Sequence, residues 1–359
     1  MTRFSELLIC SVFGASLTSA IPAGAQIVWL ERDYDFGLMK EAAGPATGTA
    51  RFVNRGPEPV SVTGARPSCG CTSVDYSEEP VAPGDTAVIS FTYDPEGRPG
   101  KFDKSIRVYI GENDSYRIGI KGNVLGTPES LDQFYPFGCG ALRLSQEVIN
   151  GGEITHGGAR NYFINAYNQS QDSISPVWKS SDRALKVSLS EKRMGPGDVA
   201  SFSFYFNTSE IEEIGDVEIP VTIGADNGAE ETLKVVLKAK VTPDFSRLSP
   251  AEVENGPRCY LIPEKIDLGI LSGQAVREFT FDVQNQGKSK MNVLRIVPKS
   301  KALIVKKKPT VIKNGKKDET RMAIDTGLLP EGAFNLTAEV ITDDPLHPIR
   351  TLSVVGIKE

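Results

Sequence analysis

The sequence predicts an all-β protein, a tandem array of three immunoglobulin-like β-sandwich domains behind a cleaved signal peptide. Three observations predict it. Five landmarks recur three times in register along the 359 residues. Between landmarks, apolar and polar residues alternate with the two-residue period of a half-buried strand. The 34 glycines and 23 prolines supply turns too often for long helices.

Residues 1–25 read as a targeting segment. Arg3 gives the positive charge, Leu7 to Leu17 an apolar stretch too short to cross a bilayer, and Ala23-Gly24-Ala25 the small-x-small pattern of a cleavage site. Cys10 lies very early and behind Ile9, where a lipidation cysteine wants a small residue. No later apolar stretch reaches ~18 residues, so no transmembrane segment is expected after cleavage. These features place the mature chain in the periplasm or at the cell surface of a Gram-negative bacterium, an oxidising setting.

Each copy opens on an apolar strand ending in glycine, at Asp35-Phe36-Gly37, Ile149-Asn150-Gly151 and Asp267-Leu268-Gly269. After 16 or 17 residues comes a turn, at Asn54-Arg55-Gly56, Asn168-Gln169-Ser170 and Asn285-Gln286-Gly287. A further 28 or 29 residues lead to Pro83-Gly84-Asp85, Pro196-Gly197-Asp198 and Lys313-Asn314-Gly315. A polar residue (Asp94, Asn207, Asp325) closes the next strand, and a glycine (Gly100, Gly215, Gly332) opens a long one. Phe202, Phe204 and Phe206 alternate with Ser201, Ser203 and Tyr205, and the other copies repeat that rhythm. Seven or so short strands per ~100 residues is the pattern of a sandwich. The expected domains are 26–125, 140–242 and 259–358, with linkers at 126–139 and 243–258. Both linkers are long enough to hinge, although the aromatics in Phe134-Tyr135-Pro136-Phe137 could instead pack on a neighbour.

The first copy carries more than periodicity. Asp35-Phe36-Gly37, Phe52-Val53-Asn54-Arg55-Gly56, Ser68-Cys69-Gly70-Cys71-Thr72, Pro83-Gly84-Asp85 and Gly100-Lys101-Phe102 together resemble the exported bacterial family called domain of unknown function 1573. In the third copy, Thr342-Asp343-Asp344-Pro345-Leu346-His347-Pro348 before a strand ending at Gly356 resembles the wider class of PapD-like and ASH-type immunoglobulin-like domains. The resemblance implies a fold and an exported compartment, and modules of that class are adhesive, scaffolding or chaperone units without catalysis.

Cys69-Gly70-Cys71 is the constellation that carries chemistry. It reads as a structural pair or local disulfide, as two soft sulfurs for Cu(I) or Zn(II), or as an exchange-active pair one residue short of Cys-x-x-Cys. No histidine is near in sequence, and no cofactor is expected. Cys139 and Cys259 sit at equivalent places before copies two and three, and each is a disulfide partner or a buried thiol. His156 and His347 lie in turns, and neither has the neighbours of a catalytic triad. Lys299, Lys301, Lys306, Lys307, Lys308, Lys313, Lys316 and Lys317 form a basic patch, read either as a site for an anionic partner or as guards on an exposed edge strand. Asp85-Thr86-Ala87 and Asp172-Ser173-Ile174 resemble a bacterial O-glycosylation pattern, making Thr86 and Ser173 candidate acceptors, although patterns this short arise by chance. The net charge of -6 argues against a nucleic-acid partner. The expectation is an exported, non-catalytic binding or scaffolding protein of the cell envelope, with an envelope protein or glycan as partner. The alternatives are a copper or thiol-redox protein centred on Cys69 and Cys71, and a PapD-like periplasmic chaperone.

Overall fold

The computed structural model describes residues 27–180, 182–212, 214–226 and 232–359. The expected leader, with Cys10, lies outside the described residues. The chain forms two compact units, one ending at Ser130 and the other beginning at Leu131. The first holds one sandwich and the second holds two.

The first sandwich runs through β1 (Ile27–Glu31), β2 (Asp33–Lys40), β3 (Ala46–Asn54), β4 (Val62–Pro67), β5 (Thr72–Tyr76), β6 (Thr86–Tyr93), β7 (Gly100–Ile110) and β8 (Asp114–Leu125). Its sheets have the orders β1-β3-β6-β5 and β2-β8-β7-β4. Alternation sets the faces: Ile89, Phe91 and Tyr93 are buried while Val88, one place before them, is exposed. The core adds Phe52, Ile106, Ile118 and Ile120 from both sheets.

The second sandwich uses β9 (Phe137–Cys139), β10 (Leu142–Leu144), β11 (Val148–Thr155), β12 (Ala159–Asn168), β13 (Pro176–Ser180), β14 (Leu185–Leu189), β15 (Val199–Asn207), β16 (Gly215–Ala225) and β17 (Thr232–Thr242). Its sheets are β14-β15-β12-β10-β9 and β11-β17-β16-β13. Phe202, Phe204 and Phe206 fill its core. The third uses β18 (Cys259–Ile262), β19 (Lys265–Leu271), β20 (Val276–Asn285), β21 (Met291–Pro298), β22 (Leu303–Lys307), β23 (Val311–Ile312), β24 (Lys317–Asp325), β25 (Gly332–Thr342) and β26 (Ile349–Lys358). Its sheets are β18-β20-β24-β22 and β19-β26-β25-β21-β23, closed over Phe281, Val283, Met322, Val340 and Val354.

The opening segment of every copy changes sheets. Its first part pairs antiparallel in one sheet (β1 with β3, β10 with β12, β18 with β20). Its second part crosses over and runs parallel to the last strand of the copy (β2 with β8, β11 with β17, β19 with β26). The opening glycines do not end a strand, as the sequence pattern implies. They lie inside β2, β11 and β19, where the parallel register shifts by a bulge. In copy two the left-handed residue is Gly152, one place beyond the expected Gly151, with φ values of +64, +68 and +66 at Gly37, Gly152 and Gly269. Only glycine takes that conformation at no steric cost.

The asparagine landmarks do more than turn the chain. Asn54, Asn168 and Asn285 are fully buried. Each Nδ2 donates to a carbonyl four residues on (Glu58, Asp172, Ser289; 2.7, 2.7 and 2.8 Å). Each also reaches a carbonyl on a distant segment (Val81, Met194, Ile312; 2.9, 3.0 and 3.1 Å). Each Oδ1 accepts from the backbone N–H two residues on at 2.9 Å. One amide therefore ties its own turn to a distant segment, beside the few backbone bonds those two segments make directly.

Neither expected linker is loose chain. Within 126–139, helix α1 (Pro128–Phe134) starts on Thr127, and β9 adds a strand to the second sandwich. In the first unit, the nearly buried Glu41 accepts from Gly97 N–H (2.7 Å), Thr127 N–H (2.8 Å) and Ser130 Oγ (2.5 Å). In the second unit, Tyr135 stacks on the buried Tyr167 with ring centroids 5.2 Å apart. Within 243–258, helix α2 (Pro250–Glu254) is closed by a Ser249–Glu252 capping box. Arg258 donates to Val253 O at 2.7 Å within the segment, and Gln286 N–H to Arg258 O (2.9 Å) and Lys288 N–H to Gly256 O (3.2 Å) hold its end against the third sandwich.

Candidate functional site

Cys69 and Cys71 sit between β4 and β5 and form a disulfide, with Cα atoms 5.3 Å apart. The loop is fixed from both sides. Ser68 N–H donates to Ser105 O (2.8 Å), Ser105 N–H to Ser68 Oγ (3.0 Å), and Asp94 N–H to Cys71 O (2.9 Å). Cys71 is only 5% exposed and belongs to the first core; Cys69 is half-buried, with its Sγ 3.5 Å from Thr72 Oγ1. A closed disulfide offers no thiolate, and thiolate is the form that binds a soft metal or attacks another disulfide. Among the described residues, no three His, Cys, Asp or Glu side chains gather as metal ligands do.

Cys139 and Cys259 stand outside that disulfide, Cys139 half-buried and Cys259 buried. Cys259 is fully buried, and its backbone N–H donates to Asp344 Oδ2 at 2.9 Å. Burial pushes its thiol up to about 11, against a smaller lowering from a bond to Thr342. His156 lies in a turn with its Nε2 3.1 Å from Ile211 O on a distant segment, and the backbone N–H of His347 donates to Asp344 Oδ1 at 3.2 Å. Asp344 is itself fully buried. It also accepts from Leu346 N–H at 2.9 Å and faces Arg258 at 3.7 Å, which ties the final hairpin to the first strand of the third sandwich.

The eight lysines do not form one face. Lys299 lies at the junction of the second and third sandwiches, paired with Asp216 and, at 2.9 Å, with Glu339. Lys240 meets the same Glu339 at 2.7 Å, and Arg295 donates to Ile214 O at 3.3 Å. Burial pulls the Lys299 ammonium down, but its bonds to Asp216 and Glu339 outweigh that and hold it above the ordinary lysine range. Lys308 donates to Val293 O at 3.1 Å, and Lys317 pairs with Asp282 at 2.6 Å. Lys301, Lys306, Lys307, Lys313 and Lys316 are exposed, and two of them end β22, an edge strand. A run of like charges in sequence thus splits into an interdomain clasp, local pairings and an edge guard. The clasp is the functional feature that sequence reasoning missed, because its acidic partners are far away in the chain.

Thr86 opens β6, exposed, with its backbone paired to Val53. Ser173 is exposed in the loop before β13. Beside α2, Phe245, Leu248, Pro257 and Pro345 line a shallow, mostly apolar recess of about 440 Å³, with Lys290 and Asp343 at its rim. Among the described residues, no helix is long and apolar enough to cross a membrane.

Residues 27–124 match the family model described as "Protein of unknown function (DUF1573)", so the resemblance of the first copy is borne out over the whole first sandwich. A search of curated proteins finds no match. Among solved structures, a protein of unknown function from Porphyromonas gingivalis W83 is similar at 15% identity, over 61% of this chain and 100% of that one, with a TM-score of 0.48. The E. coli chaperone DraB is similar at 11% identity over 61% and 96% of the two chains, with a TM-score of 0.25. The YadV chaperone is similar at 9% over 60% and 100%, with a TM-score of 0.24. At such scores and identities, none of the three bears on function.

Proposed function

We propose that this chain is an exported, non-catalytic binding or spacing protein of the bacterial envelope, acting through the outer faces and open edges of its sandwiches. The observation that carries the reading is where the buried polar chemistry is spent. Glu41, Asn54, Asn168, Asn285 and Asp344 all bind backbone groups of their own fold. The side chains left for recognition lie outside, on sheet faces and on edge strands such as β5, β13 and β22. An open edge can accept a strand from a partner, and three sandwiches in series provide more than one contact point. The test is affinity capture from envelope extracts with the mature chain. Enrichment of one defined protein or glycan is expected, and recovery of nothing above background under gentle conditions overturns the reading.

A second reading, thiol–disulfide exchange, is favoured by one feature: Cys69 keeps part of its surface in contact with solvent while bonded to a buried partner. Thiol counting with mass spectrometry and metal analysis separates the two. A Cys69–Cys71 bond that survives mild reductant, with no metal bound, ends both the exchange and the copper readings.

A further inference from the structure

We propose that the outer face of the β12–β15 sheet in the second sandwich is a platform for a neutral glycan chain; this rests on the reading of the chain as a binding protein. Along β12 the inward residues are Tyr162, Ile164 and Ala166, so Phe163 stands on the opposite side, 61% exposed on an interior strand. Along β15 the phenylalanines point inward and Tyr205 points out, 40% exposed. The register places Phe163 opposite Ser203 and Tyr205 opposite Asn161, which makes the two rings diagonal neighbours on one face. Ser188 continues the Phe163–Ser203 row onto β14, and Lys186 continues the row of Tyr205. At the next outward position on β12 beyond Asn165, Tyr167 is covered by Tyr135, so Leu131 and Tyr135 wall off one end.

The composition of this face is unlike that of its equivalents. On the third sandwich the matching face carries an ion-pair lattice, with Lys317–Asp282 at 2.6 Å and Arg321–Glu278 at 3.9 Å. On the first, Arg51 pairs with Glu31 at 3.1 Å beside the exposed Val88, and the neighbouring Thr47–Thr92 and Thr49–Ser90 rows carry hydroxyls but no ring. Charged pairs are the usual way to keep a solvated sheet face soluble and unpartnered. The second sandwich instead presents two rings among serines and asparagines, with Lys186 as a lone charge and no carboxylate in those rows. Rings take the C–H face of a sugar, and hydroxyl and amide groups both donate to and accept from its hydroxyls. An anionic polymer would need more than one cation. A second protein sheet laid flat on this face would bury its serines and asparagines without assured partners.

The test applies the mature full-length chain to immobilised neutral and uronic-acid oligosaccharides at about 0.1 and 0.5 M salt. The expected result is retention on one or more neutral chains, unaffected by salt and weakened at least about tenfold in the double variant Phe163→Ala, Tyr205→Ala. That variant should keep the wild-type melting curve, because both side chains are exposed. Binding restricted to acidic oligosaccharides, binding indifferent to the double variant, or no binding overturns the proposal. So does self-association that the double variant abolishes, since a second copy would then own the face. If the array fails while envelope capture still enriches a protein, the platform falls and the parent reading stands; if both fail, both fall.

Discussion

Replacing Asn285 with alanine tests whether the buried asparagines hold the sandwiches together. The amide donates to Ser289 O (2.8 Å) and Ile312 O (3.1 Å), and it accepts from Gly287 N–H (2.9 Å) and Arg258 N–H (3.2 Å). Truncation strips four backbone groups of a partner. At about 1 kcal/mol for each, the loss is about 4 kcal/mol, a large share of the ~5–15 kcal/mol that stabilises a domain. The assay is denaturant unfolding together with hydrogen exchange resolved by strand. Exchange should accelerate in β20, β23 and β24 and at the start of β18. Thr280→Ala, an exposed change on the same strand, should stay within about 0.5 kcal/mol of the parent. An Asn285→Ala protein as stable as the Thr280→Ala control would refute the reasoning.

Three further outcomes follow from the packing. Because the Cys259 thiol is pushed up to about 11 by burial, the folded form stays protonated where the unfolded chain ionises. Stability from this group is full below pH ~9 and is lost as pH rises towards and past ~11, by about 3 kcal/mol at most; unfolding curves of Cys259→Ala should lack that slope, and native alkylation should mark Cys139 before Cys259. Glu339→Ala leaves Lys240 and Lys299 facing each other without their shared carboxylate. After allowing for partial solvent screening, the cost is about 1–2 kcal/mol, seen as faster proteolysis within 243–258. Gly356→Ala places a Cβ 2.7 Å from Phe334 Cζ and 2.8 Å from Gly269 O, and overpacking of this kind costs about 1–3 kcal/mol in urea unfolding.

The alternation of Ile89, Phe91 and Tyr93 against Val88 made the strands legible, because burial follows the two-residue period directly. The reach of Asn54 to Val81 O was not, since a bond across 27 residues leaves no mark on the local pattern. A signal was nevertheless present: asparagine is kept in all three turns while its neighbours change from Arg-Gly to Gln-Ser to Gln-Gly. A turn alone has no such requirement. The double glycine at 151–152 hid which residue takes the left-handed bend. Lys299 could not be told from Lys301 by sequence, because only the fold brings Asp216 and Glu339 to it. Phe163 was detectable in principle, as an aromatic out of phase with Tyr162 and Ile164 on the same strand.

The crossing of each opening segment to lie parallel with the closing strand has a mechanical consequence. The chain enters β2 and leaves β8 in the same direction, and the same holds for β11 with β17 and for β19 with β26. Tension along the chain therefore slides the two strands past each other, so their hydrogen bonds share the load at once. An antiparallel terminal pair would open one bond at a time, like a zip. Every sandwich carries this shear-loaded clamp between its first crossing strand and its last.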